Sequence, residues 1–155
     1  MPLNDEVELL RRVPLFADIS PAKLKLLAFT SDIVSFGAGR ILFNQGDQGD
    51  AAYVLLSGSA EVLIGEPDVQ FRVDTIETNA IVGEISILCD VTRTATVKTL
   101  EPVTALRIRK EHFLKLMIEF PEMGIQIVRV LAERLSHTTA ALAAARNELS
   151  KAGRQ

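Results

Sequence analysis

The chain has 155 residues, 48% hydrophobic and 24% charged, which is enough apolar surface for one good core and too little length for two ordinary domains. A formal net charge of −3 gives no basic field, so direct binding to nucleic acid or to an anionic membrane surface is not expected. No apolar stretch reaches the roughly 20 residues that cross a bilayer, and the acidic start, Met1 to Glu8, lacks a secretory layout, so a cytoplasmic protein is expected. The single cysteine, Cys89, cannot close an internal disulfide or hold a cluster alone, and is read as a buried structural thiol.

The first stretch, about 4–32, reads as helical. Leu9, Leu10 and Val13 repeat at helical spacing. Ser20-Pro21 announces a second helix, with Ser20 as the cap and Pro21 in the first turn, where its missing N–H costs nothing. Leu24, Leu27 and Ala28 then share a face.

The middle, about 34–109, reads as many short strands. Every glycine except Gly124 and Gly153 falls between Gly37 and Gly83. Tyr53-Val54-Leu55-Leu56 and Glu61-Val62-Leu63-Ile64 are bounded by turn residues, while Gln70 to Asp74 and Leu106 to Arg109 alternate with period two. The pattern predicts an antiparallel β-barrel of the double-stranded β-helix or jelly-roll kind.

The end, about 110–150, is helical again. Phe113, Leu116 and Met117 share a face before Phe120-Pro121 interrupts, and a longer helix then runs through the alanine-rich 140–145 toward Leu149. Lys151 to Gln155 are expected to fray. The plan is mainly β with flanking helices: N-terminal helices, barrel and two C-terminal helices, in one domain over 1–155.

The chemistry concentrates in Val82-Gly83-Glu84-Ile85-Ser86-Ile87-Leu88, followed by Arg93-Thr94-Ala95-Thr96-Val97. Gly83 allows close backbone approach. Glu84 opens a short apolar turn whose N–H groups suit an anion. Arg93 offers a planar fork of donors for a phosphate or carboxylate. A glutamate and an arginine so placed could accept a sugar hydroxyl and neutralise a phosphate. On this fragment alone, a surface pair between Glu84 and Arg93 is the simpler and favoured explanation.

Across Leu15 to about Leu135 the sequence resembles the cyclic-nucleotide-binding domain family of catabolite activators, cyclic-nucleotide-dependent kinases and cyclic-nucleotide-gated channels. Leu15-Phe16 ahead of Ser20 is similar to its opening helix. Gly39, Ile41 and Gln45-Gly46-Asp47-Gln48-Gly49-Asp50 match its first glycine-turn block. Tyr53-Val54-Leu55 with Gly58 resembles its next strand, and Glu119-Phe120-Pro121 its last helix junction. Gly83-Glu84-Ile85-Ser86 with Arg93-Thr94-Ala95 matches its phosphate-binding cassette.

The resemblance implies roles for these residues. Arg93 would hold the exocyclic oxygens of the cyclic phosphate, and Glu84 would accept the ribose 2′-hydroxyl. N–H groups at Ile85 and Ser86 would complete the cradle, Gly83 would clear room for the sugar, and Ala95 would sit beside the phosphate. Thr94 would permit cGMP through the guanine 2-amino group, although cAMP is the favoured ligand, and no cofactor is implied. Arg134 stands where channel members carry a basic lid residue; a solvated face residue is the alternative. Two departures are Val82, where an aromatic is common, and Asn79, near a common glycine; asparagine tolerates a left-handed turn.

The remaining marked residues point away from catalysis and metal binding. A small barrel enzyme of the cupin kind would place several histidines on strands, whereas His112 and His137 fall in helices, His112 as an exposed first-turn residue. A ligand-free interaction module is the other alternative. Tyr53 reads as core. Val128, Leu135, Leu142 and Leu149 recur every seven residues, with Leu131, Thr138 and Ala145 between, as in a coiled-coil seam. Packing on the barrel explains Val128 and Leu131 but not Leu142 and Leu149, so a homodimer through this helix is expected.

Overall fold

The computed structural model describes residues 3–17 and 19–152. Helix α1 (Leu3–Arg11) and a 3-10 turn (Pro14–Phe16) lead into α2 (Pro21–Thr30). Val7, Leu10, Val13 and Phe16 are buried, as are Leu24, Leu27 and Ala28 on the predicted face of α2, and α1 packs on α2. Pro21 starts α2 as expected, but Ser20 makes no side-chain cap. Its carbonyl instead accepts the N–H groups of Lys23 and Leu24 at 3.1 and 3.0 Å, which are the helix's own bonds.

Eight strands follow: β1 (Asp32–Phe36), β2 (Ile41–Phe43), β3 (Ala51–Ser57), β4 (Ala60–Glu66), β5 (Val69–Ile76), β6 (Ile81–Val82), β7 (Thr96–Thr99) and β8 (Val103–Arg109). They form two four-stranded antiparallel sheets, ordered β1-β8-β3-β6 and β2-β7-β4-β5. This is the expected jelly-roll class, built as two sheets and not as one closed barrel. Both sheets supply the core: Ala51, Tyr53, Leu55, Val82, Val103 and Ala105 from the first, Ala60, Ile76 and Val97 from the second. Helix α3 (Glu84–Leu88) interrupts between β6 and β7, and α4 (Lys110–Glu119) follows β8. Both helices pack on β3.

One strand departs from expectation. The alternation at Gln70 to Asp74 predicts one buried face, yet all of β5 is exposed except Ile76, with Phe71 65% exposed. β5 is the edge of its sheet, and its register with β4 shifts between Val62 and Leu63, so the alternation never aligns with the core.

The second unit, Phe120–Gln155, contains α5 (Pro121–Ala152). Gly124 does not break it, and Met123 and Ile127 are its buried residues. The seven-residue stripe is exposed: Val128 65%, Leu135 67%, Leu142 69% and Leu149 76%. Val128, expected to be covered, is therefore open, while Leu131 is half-buried. Lys151 and Ala152 continue the helix, and the rest of the expected frayed end lies outside the described residues. No helix among the described residues is long and apolar enough to cross a membrane.

An ion pair ties β1 to β8. Asp32 Oδ2 accepts from Arg107 Nη2 at 2.9 Å and from Arg109 Nη2 at 3.4 Å. The Arg107 hydrogen bond holds the Asp32 carboxyl below its usual range. A lowered folded value means stability that is present above the unfolded value and lost as pH falls through the folded one. The side chains are 36% and 39% exposed, so Asp32→Asn should cost less than about 1 kcal/mol at neutral pH. That cost should disappear in acid, once the pH falls below the lowered folded value. Urea denaturation at both pH values reads the difference, and an equal loss at both would contradict it.

Candidate functional site

Arg93 is 3% exposed, although it lies in an irregular segment just before β7. Burying a guanidinium is costly unless its donors are met, and the chain brings two other segments to meet them. Arg93 Nη1 donates to the Gly83 carbonyl and to Ser86 Oγ, both at 2.9 Å. Nη2 donates to the Ala51 carbonyl at 2.7 Å and to Asp50 Oδ1 at 3.4 Å. The guanidinium carbon stands 4.0 Å from the centroid of the Phe43 ring. Burial pushes the arginine down from its usual value, and Asp50, Tyr53, Asp47 and Glu84 oppose that shift. The group stays charged, since arginine does not deprotonate in proteins.

Local sequence explains why these segments converge. Between β2 and β3, Asp47 Oδ2 accepts the Asn44 N–H at 2.9 Å, which closes a tight turn. Gly46, at φ 92, then donates to the Arg93 carbonyl at 2.8 Å, and Arg93 N–H donates to the Asp47 carbonyl at 2.8 Å. Thr96 Oγ1 accepts from Gln45 N–H at 2.9 Å. The Gln45-to-Asp50 block thus holds the Arg93 backbone from one side.

Two glycines make the close approach possible. Gly83 sits at φ +87 ahead of α3, and a Cβ there would stand 2.7 Å from Arg93 Nη1 and 3.3 Å from both the Ala51 carbonyl and Phe43. The missing Cβ thus leaves room for the guanidinium. A Cβ at Gly49 would collide with Ser86 Oγ and stand 2.7 Å from Ser86 Cβ.

Of the residues singled out from sequence, Gly83, Ser86 and Arg93 converge here. Glu84 is 1% exposed at the start of α3, and its charge reaches Arg93. With both residues buried, a solvated surface pair does not describe them. Ala95 is buried, while Ile85 (38% exposed) and Thr94 are open. Arg134 lies on α5 in the second unit and is half-buried. Val82 is buried, pairs with Tyr53 and packs into the core, so no aromatic is needed. Asn79 takes φ 74, as its tolerance predicts, and its N–H donates to the Leu55 carbonyl at 2.7 Å.

Some expectations need correction. Cys89 is exposed, because α3 ends at Leu88 and Ile87 takes the buried position. His112 is half-buried in the first turn of α4, not exposed, and His137 is exposed on α5. Among the described residues, no group of three or more His, Cys, Asp or Glu is placed to hold a metal ion. Sequence reasoning missed Phe43 and the Ala51 carbonyl, and it read Gly49 and Asp50 only as parts of a turn. The glycine-rich spacing was their one available signal.

Comparison with known proteins identifies the family. Residues 33–120 match the family described as Cyclic nucleotide-binding domain. The chain is 30% identical over 137 residues to a CRP-like cAMP-activated global transcriptional regulator of Mycobacterium tuberculosis, covering 88% of this chain and 61% of the regulator. It is 31% identical over 108 residues to the cAMP-dependent protein kinase regulatory subunit of Emericella nidulans, covering 70% of this chain and 26% of the subunit. The chain thus spans about three-fifths or less of the length of these relatives. The regulatory domain of Toxoplasma gondii PKA, crystallised with cAMP, superposes with a TM-score of 0.74 at 18% identity, over 84% of this chain and 50% of that one, which speaks for the fold alone. With the profile match, the jelly roll and the buried arginine of its cassette together, the chain belongs to the cyclic nucleotide-binding domain family.

Proposed function

We propose that this chain is a regulatory sensor, not an enzyme, that captures a cyclic nucleotide at the Arg93 cradle and prefers cAMP to cGMP. The observation that carries the reading is a charged arginine, only 3% exposed, whose acceptors include two that can be replaced. The Gly83 and Ala51 carbonyls belong to the backbone and stay. The Ser86 hydroxyl and the Asp50 carboxylate, at 3.4 Å and 81% exposed, are side-chain partners that a phosphate oxygen can displace. Glu84 accepts the ribose 2′-hydroxyl, the N–H groups of Ile85 and Ser86 line the phosphate, and Ala95 leaves space beside it.

Charge favours a cyclic phosphate. Asp50, Asp47 and Glu84 all act on the one guanidinium. A phosphodiester carrying a single negative charge suits that balance better than an open-chain monoester carrying nearly two. The names of the two sequence relatives, cAMP-activated and cAMP-dependent, support cAMP. Thr94 is exposed, and its hydroxyl is open to guanine, so cGMP binds more weakly but measurably. The ligand is the nucleotide itself, and no cofactor is called for.

Asp50 offers a route outward. Its carboxylate meets Arg93, and its carbonyl accepts the N–H of Lys110, the first residue of α4, at 2.8 Å. A ligand that replaces the carboxylate acts on the residue that anchors the start of α4, and the C-terminal end of the chain responds. The chain works as one cytoplasmic domain over 1–155, dimerising through the exposed stripe of α5.

Calorimetric titration with cAMP, cGMP and AMP tests the site. cAMP should bind most tightly and AMP least. Arg93→Leu should weaken cAMP by at least about 100-fold, since each charge-assisted hydrogen bond contributes roughly 1.5–3 kcal/mol. Equal affinity of wild type and Arg93→Leu would refute the assignment.

The dimer is tested separately. Leu142→Glu with Leu149→Glu should give a folded monomer by light scattering, because two charges cannot be buried unpaired in an apolar seam. A monomeric wild type would end the claim.

A further inference from the structure

The hydrogen bonds of Arg93 hold the two Nη ends of its guanidinium but leave one corner unheld. Its Nε is buried without a hydrogen-bond partner. What lies against the group instead is the face of Phe43, at the end of β2, 4.0 Å from the guanidinium carbon. Phe43 is itself supported. Tyr53 stands 6.0 Å from it, centroid to centroid, with planes inclined 33°, and Phe36 meets Tyr53 edge-on at 6.5 Å and 69°. Tyr53 belongs to the core between the sheets, and both phenylalanines pack against that core. The arginine thus rests on a column of three rings rooted in the middle of the jelly roll.

We infer that Phe43 is the positioning residue of the site: its ring face fixes the plane of the Arg93 guanidinium, so that an arriving phosphate meets the donor edge. The inference rests on the proposed capture of a cyclic nucleotide by Arg93. Each side of the group has its own device. Gly83 removes a Cβ that would stand 2.7 Å from Nη1, and the ring presents the negative face of its quadrupole to the cation. A leucine at position 43 would keep much of the volume and lose the quadrupole. The guanidinium, with its Nε unheld, could then tilt between its two Nη anchors.

The test is cAMP titration of wild type, Phe43→Leu, Phe43→Tyr, Arg93→Lys and the double variant Phe43→Leu/Arg93→Lys, with far-UV circular dichroism as the folding check. Phe43→Leu should weaken cAMP about tenfold, the scale of one desolvated cation–aromatic contact. Phe43→Tyr, which keeps the ring face, should recover most of that loss. In the Arg93→Lys background the same Phe43→Leu change should cost no more than about twofold, since the group that it positions has gone. A residue that merely fills space would cost the same in both backgrounds, and that result overturns the inference. So does a folded Phe43→Leu protein of wild-type affinity. Should Phe43→Leu not fold, Phe43→Met carries the same expectations. A wild type that fails to bind cAMP overturns the functional reading together with this one, whereas a wild type that binds while the Phe43 variants bind equally overturns this one alone.

Discussion

A single desolvated charge organises the site end of this jelly roll. Removing a guanidinium from water costs several kcal/mol even after relaxation, and neither a helix nor a strand interior can supply enough acceptors for one. The chain answers with segments from three places: the 44–51 loop and strand start, the Gly83–Ser86 turn and the Arg93 segment itself. Each segment is constrained by the charge that it serves. Gly83 is left-handed and bare, Gly49 is bare, and Ser86 Oγ both donates to the Gly83 carbonyl at 3.2 Å and accepts from Arg93. Changing any of these residues would disturb the satisfaction of the same cation.

The jelly roll makes that convergence possible. Sheet order β1-β8-β3-β6 sets β6 beside β3, so the Gly83 turn that leaves β6 arrives next to Ala51 at the start of β3. The opposite sheet supplies Phe43 from β2 and, through β7, the anchor at Thr96. Residues forty or more positions apart thereby share one arginine. The aromatic column between the sheets makes core packing and site geometry one problem, since the ring that supports the cation is itself supported by Tyr53.

This division also explains what could be read from the sequence. Local features were legible: Pro21 opening α2, the glycine-punctuated strands, the short helix after Gly83, and the Gly-Glu and Arg-Thr-Ala segments that meet at Arg93. Features that depend on long-range placement were not. Nothing around Phe43 distinguishes a ring under a guanidinium from an ordinary strand phenylalanine, because its partner lies fifty residues on. The alternation in β5 looked like half-burial, but its place at a sheet edge decided otherwise. Cys89 looked like a core thiol because its neighbours are apolar, yet Ile87 turns inward and Cys89, two residues on at the C-cap of α3, is left outside. Gly83 was marked as a point of close approach, and the Arg93 guanidinium is one group that comes that close.

Magnitudes limit how signalling through such a site can work. The Arg93–Asp50 contact is long, at 3.4 Å, and its carboxylate is 81% exposed, a geometry worth less than about 1 kcal/mol. Displacing it costs an arriving anion little, which suits capture. By linkage, however, a contact that weak can shift a conformational equilibrium only by roughly fivefold. A larger response must draw on groups whose surroundings change more steeply. Within this site the candidates are the buried ones: the Glu84 carboxylate, at 1% exposure, and the Ser86 hydroxyl wedged against Gly49. Both stand on α3, which packs on β3 and on α4. If the cradle captures the proposed ligand, the short helix, which packs on both β3 and α4, adds a steeper route to the start of α4 beside the weak Asp50 contact.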